Sequence, residues 1–300
     1  MSMPNFISRL PQIASVLAYL IASLVSSSAA SAVESIRYPV GPAASLGKTD
    51  YSIEMLKLAV RKSGANVVLQ PVRLDLNKVR LLMELQQGRQ IDVFWGGATK
   101  EREDAMQPVR ICLMKGLMGW RIPLISKKNS ELFAQVKNLE DLRKLSAGQG
   151  YHWTDTQILQ NAGIQVERSY EYDNLLKMLM AGRFDYFPRS VMEIWGEVEA
   201  HPEVDMAIDP YVILHYPAAF YFYVHKENAK LAEILQRGLE VAVKDGSFNK
   251  LFYEYHRHEI INAHIENRRI IEIKNPYLNA KTPLDRKELW FSVPDLKQMN

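Results

Sequence analysis

Two stretches of the chain share one arrangement of apolar and polar residues. In residues 82–95 and again in 176–187, apolar residues at helical spacing run into Gly-Arg and then into a short apolar run with an early aspartate. A glycine after the last helical turn adopts the left-handed conformation that ends a helix, and a buried strand that follows at once is typical of an α/β unit. Two such units this far apart predict two α/β lobes with a cleft between them.

The periodicity of apolar residues predicts the other elements of these lobes. The first lobe is predicted to begin as β-α-β-α-β, the start of a doubly wound sheet, with strands at 35–40, 67–69 and 91–95. The second lobe is predicted to repeat this order, with strands at 122–125, 145–148, 166–169 and 184–187. An aromatic strand at 218–224 and helices at 229–244 and around 248–255 return the chain to the first lobe.

This order of elements implies a chain that crosses twice between its lobes. We expect residues 33–115 and 217–258 to form the first lobe and residues 116–216 to form the second. Residues 259–300 are polar and contain three prolines, which predicts an extended C-terminal tail packed on a lobe.

The N-terminal segment, residues 1–32, is typical of a secretory signal peptide. Arg9 is its only charged residue, an apolar run spans 13–25, and small residues follow up to Ala30-Ser31-Ala32. The apolar run is short for a spanning helix, which needs roughly 20 residues, although an uncleaved membrane anchor is the alternative. Cleavage after Ala32 predicts a periplasmic protein.

The net charge, the cysteine count and the hydrophobic fraction of the chain limit its partners and the means by which its fold is stabilised. Loss of residues 1–32 removes Arg9, so the formal net charge falls from +3 to +2. A chain so close to neutral has no electrostatic reason to bind nucleic acid. Cys112 is the only cysteine and lies among apolar residues, which excludes an intramolecular disulfide and predicts a buried thiol. Hydrophobic residues make up 47% of the chain, enough to stabilise the fold through its core.

Several candidate ligand-binding residues follow predicted strands. In open α/β sheets a ligand binds beyond the carboxyl ends of the strands. The candidates at such positions are Trp95, Gly96, Gly97, Thr99, Arg102, Tyr151, Trp153, Thr154, Arg189 and Ser190. Thr154 or Asp155 could cap a helix whose free amides face the cleft.

These residue types also have plainer explanations. Arg102 and Arg189 are either anion clamps, one from each lobe, or surface arginines and salt-bridge partners. Trp95 and Trp153 either cover a ligand or pack in the core, and Gly96-Gly97 either lets backbone amides approach a ligand or makes a turn. His256, His258 and His264 lack supporting ligands at a tight spacing, so no metal site is expected.

The order and spacing of these features resembles solute-binding protein family 3, the amino-acid-type periplasmic binding proteins of ABC transporters. The features are the signal peptide, the twin Leu-x-x-Leu-x-x-Gly-Arg units, Ala98-Thr99-Lys100-Glu101-Arg102 and a closing stretch from Val224 to Phe248. The resemblance implies a type II periplasmic-binding fold of two α/β lobes that close on a small polar solute. It also implies a membrane permease as partner, and we expect a monomer.

The resemblance assigns roles to particular residues. Arg102 would hold the ligand carboxylate, and Thr154 would match the family's threonines at the second-lobe helix. The family's ammonium-binding acid has no counterpart after Asp185, where Arg189 and Ser190 stand instead. We therefore expect an anionic or zwitterionic solute with a dominant negative group, not a standard α-amino acid held in the usual way.

No motif of catalysis or cofactor binding is present. The chain has no nucleophile elbow, P-loop, zinc motif or dinucleotide fingerprint, so no catalytic residue and no cofactor is expected. One alternative is an enzyme similar to the cyclohexadienyl or arogenate dehydratases, for which Asp155 and Glu193 are the candidate general acids. Another is a solute-sensing module that signals to a receptor.

Overall fold

The structure, a computed structural model, describes residues 34–41 and 49–298. The predicted signal peptide and its cleavage site lie outside these residues. The helices of the described chain are α1 (Thr49–Ser63), α2 (Lys78–Gln86), α3 (Lys100–Ala105), α4 (Leu139–Leu142), α5 (Thr154–Asn161), α6 (Tyr172–Met180), α7 (Ile194–Ala200), α8 (Ala229–Lys244) and α9 (Ser247–Asn262). The strands are β1 (Glu34–Val40), β2 (Val67–Arg73), β3 (Val93–Gly97), β4 (Gln107–Val109), β5 (Trp120–Ser126), β6 (Ser146–Gly150), β7 (Gln165–Ser169), β8 (Phe187–Ser190), β9 (Met206–Ile208), β10 (Val212–His215), β11 (Phe220–Val224) and β12 (Arg269–Glu272).

The strands of the first lobe form two hydrogen-bonded groups. One group is β1-β2 and the other is β3-β11-β4, with β11 antiparallel to both of its neighbours. The groups meet where the Asp92 amide donates to the Arg37 carbonyl at 2.8 Å. The aromatic strand β11 is buried at every position, as expected of a strand in the middle of a covered sheet.

The second lobe has a mixed sheet in the order β12-β10-β5-β8, with β9 also paired to β5. A parallel pair, β6-β7, continues it through a bridge between Ala147 and Tyr186. The parallel strands bring the carboxyl ends of β6 and β7 to one edge, where Gly150 lies opposite Ser169. The loop that leaves β6 at this edge and Arg168 of β7 form part of one wall of the cavity described below.

The repeated sequence pattern has the same structural role in both lobes. Gly88 and Gly182 have φ angles of 61° and 66°, and the amide of the following arginine donates to the carbonyl five residues back. This double turn satisfies the last carbonyls of α2 and α6. The sequence prediction of glycine-terminated helices is therefore confirmed.

The two aspartates of the repeat have a role that the sequence prediction did not include. Asp92 accepts from the Arg37 amide at 2.7 Å, and Asp185 accepts from the Ser146 amide at 2.7 Å. Each carboxylate thus binds the backbone of a neighbouring strand. The strands β3 and β8 begin at Val93 and Phe187, where their pairing with β11 and β5 starts, two to three residues later than the predicted starts at 91 and 184.

The first passage between the sheets runs through an unusual backbone. Lys115 and Gly116 both have left-handed φ angles, 45° and 74°. Gly116 is required here because a side chain at this position would begin 2.6 Å from the Trp290 ring.

Cys112, just before this turn, is fully buried, which confirms the predicted buried thiol, and burial raises its pKa to about 11.

The C-terminal part of the chain differs from a plain extended tail. Helix α9 continues to Asn262, past the predicted boundary at 258, because its apolar face packs on the core with Phe252 and Ile260 buried. Beyond it, β12 pairs in parallel with β10 of the second lobe. Within the described residues, no helix is both long and apolar enough to cross a membrane.

Candidate functional site

A cavity of about 820 Å³ is bounded by three segments of the chain. The first is the start of α3, residues 99–102, and the second is the loop and first turns of α5, residues 151–160, joined by Arg168. The third is residues 276–280 of the C-terminal tail. Its volume falls within the roughly 300–1,000 Å³ of cavities that hold small molecules.

The first wall presents Arg102. Thr99 caps α3, accepting from the Arg102 amide at 3.3 Å, and the Arg102 guanidinium donates to the Gly97 carbonyl. Burial lowers the pKa of this guanidinium, and Tyr223 and Glu101 only partly offset that effect. No ion pair joins it to a carboxylate of the described residues. A desolvated cation without a carboxylate partner is well suited to bind an anion.

The second wall is held by Trp153. Its ring lies against Gly150, where a side chain would begin 2.4 Å from the indole. The same ring stacks on Phe187 with centroids 6.1 Å apart, and the Arg189 guanidinium lies 4.8 Å from its centre.

No side chain caps the start of α5. The predicted cap by Thr154 or Asp155 is therefore wrong, because the helix begins at Thr154 itself. The Thr156 amide donates to the Trp153 carbonyl at 3.1 Å, which leaves the amides of Thr154 and Asp155 for a ligand.

Arg168 is a cavity residue that sequence reasoning missed. Its guanidinium lies 4.6 Å from the centre of the Tyr151 ring, and Tyr151 stacks on Tyr170 at 4.4 Å. No ion pair joins Arg168 to a carboxylate of the described chain. The signal was available, since Arg168 lies near the carboxyl end of a predicted parallel strand, but only the loop after the neighbouring strand was considered.

Behind Trp153 lies a buried network of two arginines and three carboxylates. Arg121 contacts Asp155 at 2.6 Å and Glu193 at 3.5 Å. Arg189 contacts Glu193 at 3.3 Å and Glu197 at 2.7 Å, so Glu193 bridges the two arginines. Burial by itself would lower the pKa of Arg121, but Asp155, Tyr216 and Glu193 raise it, and the net shift is upward.

This network shows which groups Arg189 contacts. Arg189 is buried and engaged by two carboxylates, and neither it nor Ser190 is among the residues that line the cavity. The hydroxyl of Ser190 instead donates to the Leu117 carbonyl at 3.3 Å. Arg121 went unnoticed because nothing in its local sequence separates a buried ion-pair partner from a surface arginine.

The other predicted residues divide by position. Thr99, Arg102, Tyr151, Trp153 and Thr154 line the cavity. Gly96 and Gly97 lie next to the Arg102 guanidinium, since a side chain at these positions would begin 3.4 and 3.8 Å from its nearest nitrogen. Trp95 is 6% exposed and packs in the core of the first lobe against Phe222.

Comparison with known proteins identifies the fold. No family model and no curated protein matches the chain. An ancestral arginine-binding protein bound to arginine superimposes with a TM-score of 0.50 and 20% identity, over 74% of this chain and 97% of that chain. The ancestral arginine-binding protein bound to glutamine gives the same values. A histidine kinase sensor domain with similarity to periplasmic binding proteins covers 68% of this chain and 85% of its own, with a TM-score of 0.49 and 14% identity.

At this level of identity the likeness concerns the fold. The chain has the two-lobed α/β fold of these binding proteins, which confirms the predicted fold class. The first two structures are of a binding protein rather than an enzyme. Within the described residues, no group of three or more His, Cys, Asp or Glu side chains could hold a metal ion.

Proposed function

We propose that this protein is a periplasmic solute-binding protein that holds a small carboxylate-bearing solute between its lobes and delivers it to an ABC-type uptake transporter. The observation that carries the proposal is the position of Arg102 and its lack of a carboxylate partner among the described residues. It stands at the cavity, desolvated, and without an ion pair to any described carboxylate. An anionic solute would supply the missing partner, and a guanidinium can hold a carboxylate through two parallel hydrogen bonds.

The charge around the cavity favours an anion. Arg102 and Arg168 both line it without carboxylate partners, whereas Lys100 is paired with Asp104 at 2.5 Å. Glu101 is the only acidic residue among the lining residues. The uncapped first turn of α5 adds the positive end of a helix dipole.

The same arrangement disfavours an α-amino acid held in the usual way. An ammonium group needs a carboxylate acceptor. The carboxylates of the second lobe nearest the cavity already form ion pairs with arginines. Asp155 is paired with Arg121, Glu197 with Arg189, and Glu193 with both. A zwitterion would have to compete with these buried guanidinium groups, so we favour solutes in which the negative group dominates.

Two independent features support the periplasmic location of the protein and a transporter permease as its partner. The predicted signal peptide with cleavage after Ala32 directs the chain to the periplasm, and the fold is that of an arginine-binding protein. A soluble monomer that shuttles between solute and permease accounts for both. The enzyme alternative is weaker, because its candidate acids Asp155 and Glu193 are both held by Arg121.

Titration calorimetry tests the proposal after a thermal-shift screen of acetate, succinate, L-glutamine and N-benzoylglycine. For the tightest of the four, Arg102→Ala should weaken binding at least tenfold, which is about 1.4 kcal/mol. Arg80→Ala is the matched control, an exposed arginine of the same lobe outside the cavity, and should bind as wild type does. Equal affinity of the Arg102→Ala protein, or tightest binding of L-glutamine, would contradict the proposal.

A further inference from the structure

The C-terminal tail is attached to the second lobe by backbone pairing. After α9 the chain enters β12, which pairs in parallel with β10 from Val212–Arg269 to His215–Glu272. Ile273 continues the ladder, its amide donating to the His215 carbonyl at 2.8 Å. The Asn275 side chain then donates to the Pro217 carbonyl at 2.8 Å. The tail is therefore fixed at the point where the chain passes from β10 to β11.

A second attachment fixes the end of the tail to the other crossing. The Phe291 amide donates to the Lys115 carbonyl at 2.7 Å, and the Lys115 ammonium donates to the Glu288 carbonyl at 2.8 Å. Arg286 pairs with Glu240 of α8 in the first lobe at 2.6 Å. The residues between these attachments therefore span from one lobe to the other.

The spanning segment is folded by its own hydrogen bonds. The Tyr277 amide donates to the Asn275 side chain at 3.1 Å. Asn279 accepts from the amides of Lys281 and Thr282, both at 2.9 Å. Residues 276–280, held in this way, line the cavity together with residues of α3 and α5.

We propose that this segment is a third wall of the solute site and that Tyr277 and Asn279 contact the bound solute. The inference rests on the proposed function and extends it to the class of solute. Residues 275–280 carry no charged side chain, whereas the positive groups Arg102 and Arg168 belong to the other two walls. The solute is then a carboxylate with a neutral, planar and hydrogen-bonding group at its far end.

The chemistry and the dimensions of the cavity agree with this class. Tyr277 offers a ring and a hydroxyl and is 38% exposed, and Asn279 offers an amide whose oxygen is already used in its own turn. Gln157 and Gln160 of α5 also line the cavity and add two more amides. A volume of about 820 Å³ lies in the upper part of the range for drug-sized ligands, so a free α-amino acid would leave much of it to water.

Two probes of different length separate the third wall from the anion site. N-benzoylglycine carries a carboxylate, an amide and a planar ring, and acetate carries the carboxylate alone. Tyr277→Ala and Asn279→Ala should each weaken the binding of N-benzoylglycine at least fivefold and leave the affinity for acetate within twofold of wild type. The apparent affinities are obtained from the dependence of the melting temperature on ligand concentration. Tyr277→Phe separates the hydroxyl from the ring. Leu284→Ala is the control, an exposed residue of the same tail that does not line the cavity.

The outcomes distinguish this inference from the function on which it rests. If both carboxylates bind and Arg102→Ala weakens both, while the Tyr277 and Asn279 variants bind N-benzoylglycine as wild type does, the third wall is refuted and the proposed function stands. If neither carboxylate raises the melting temperature of the wild-type protein, both the proposed function and the third wall are refuted. Unchanged melting temperatures of the variants without solute show that the tail remains folded.

Discussion

Arg189 is enclosed by groups that stabilise its charge. Its side chain is 7% exposed and contacts Glu193 and Glu197, and three aromatic rings (Trp153, Tyr172 and Phe187) lie within 5.6 Å of its guanidinium carbon. Such a residue holds the position of Trp153 behind the cavity. Its role as a direct ligand contact stays a prediction of the sequence.

Removal of this arginine tests its structural role. Arg189→Ala leaves Glu197 and Glu193 partly buried without this cation, and breaking a buried pair from one side costs about 3–5 kcal/mol. Urea unfolding should show a loss of this order in the free energy of unfolding. Arg183→Ala, at an exposed position, should stay within about 0.5 kcal/mol of wild type. A similar small change for both variants would show that the network does not stabilise the fold.

Asp209 predicts a pH dependence of stability. It is fully buried, and burial raises its pKa from 3.8 to about 6, although the Val212 and Tyr211 amides and Arg268 oppose this shift. The native state therefore binds the proton more tightly than the unfolded chain does. Stability from this group is fully present below about pH 4 and is lost as the pH rises through 6.

The difference between wild type and Asp209→Asn isolates this effect. Since one pKa unit corresponds to about 1.4 kcal/mol, wild type should lose roughly 2–3 kcal/mol relative to the variant between pH 4 and pH 7. Urea unfolding at pH 4, 5.5 and 7 measures the free energies. A difference that stays constant over this range would refute the assignment to Asp209.

Helix packing depends on a close approach that sequence periodicity does not reveal. Helices α1 and α8 pack on each other at Gly238, where a side chain would begin 1.8 Å from the Ala59 carbonyl oxygen. Gly196 in α7 has open space around the same position. Both glycines are helical, so alanine gains about 0.5–1 kcal/mol of helix stability at either site, and only packing separates them.

The two glycines make a matched pair of variants. Gly238→Ala should lower the free energy of unfolding by about 1–3 kcal/mol or more because the helices must separate. Gly196→Ala should leave it unchanged or raise it slightly. Thermal and urea unfolding of the two proteins measures the contrast, and equal stabilities would show that α1 and α8 do not need this contact.

At the scale of the whole molecule, the tail adds to the two crossings between lobes. The chain passes from α9 to the second-lobe sheet and back to Lys115, so its last residues contact both crossings. The apolar residues that secure this return are Leu289 and Phe291, both buried. The tail is thereby an integral part of the fold and bounds the cavity.

The start of the mature chain is the prediction that concerns the whole protein in the cell. Signal peptidase should cut after Ala32 and leave Val33 as the first residue, because small residues precede this bond after a short apolar run. N-terminal sequencing of the protein from the periplasmic fraction checks this. Recovery of a chain that begins with Met1 in the membrane fraction would support the anchor instead.

Elements with a local physical cause were predictable from the sequence alone. Gly88 and Gly182 end their helices because a left-handed residue is needed there, and α8 has the predicted bounds because its apolar residues recur at helical spacing. The succession of strands and helices then limits the fold to two α/β lobes. The candidates Thr99, Arg102, Trp153 and Thr154 followed from the rule that ligands bind beyond the carboxyl ends of strands.

Only the tertiary structure decided what the long charged side chains contact. Arg102 and Arg189 look alike in sequence, yet one stands at the cavity without a carboxylate partner and the other is neutralised by residues of α7 and its N-terminal cap. Arg121 and the tail residues Tyr277 and Asn279 reach the site through contacts across more than thirty residues. Periodicity reports the direction of a side chain relative to its own helix or strand, whereas the partner of a flexible guanidinium is set by how distant elements pack.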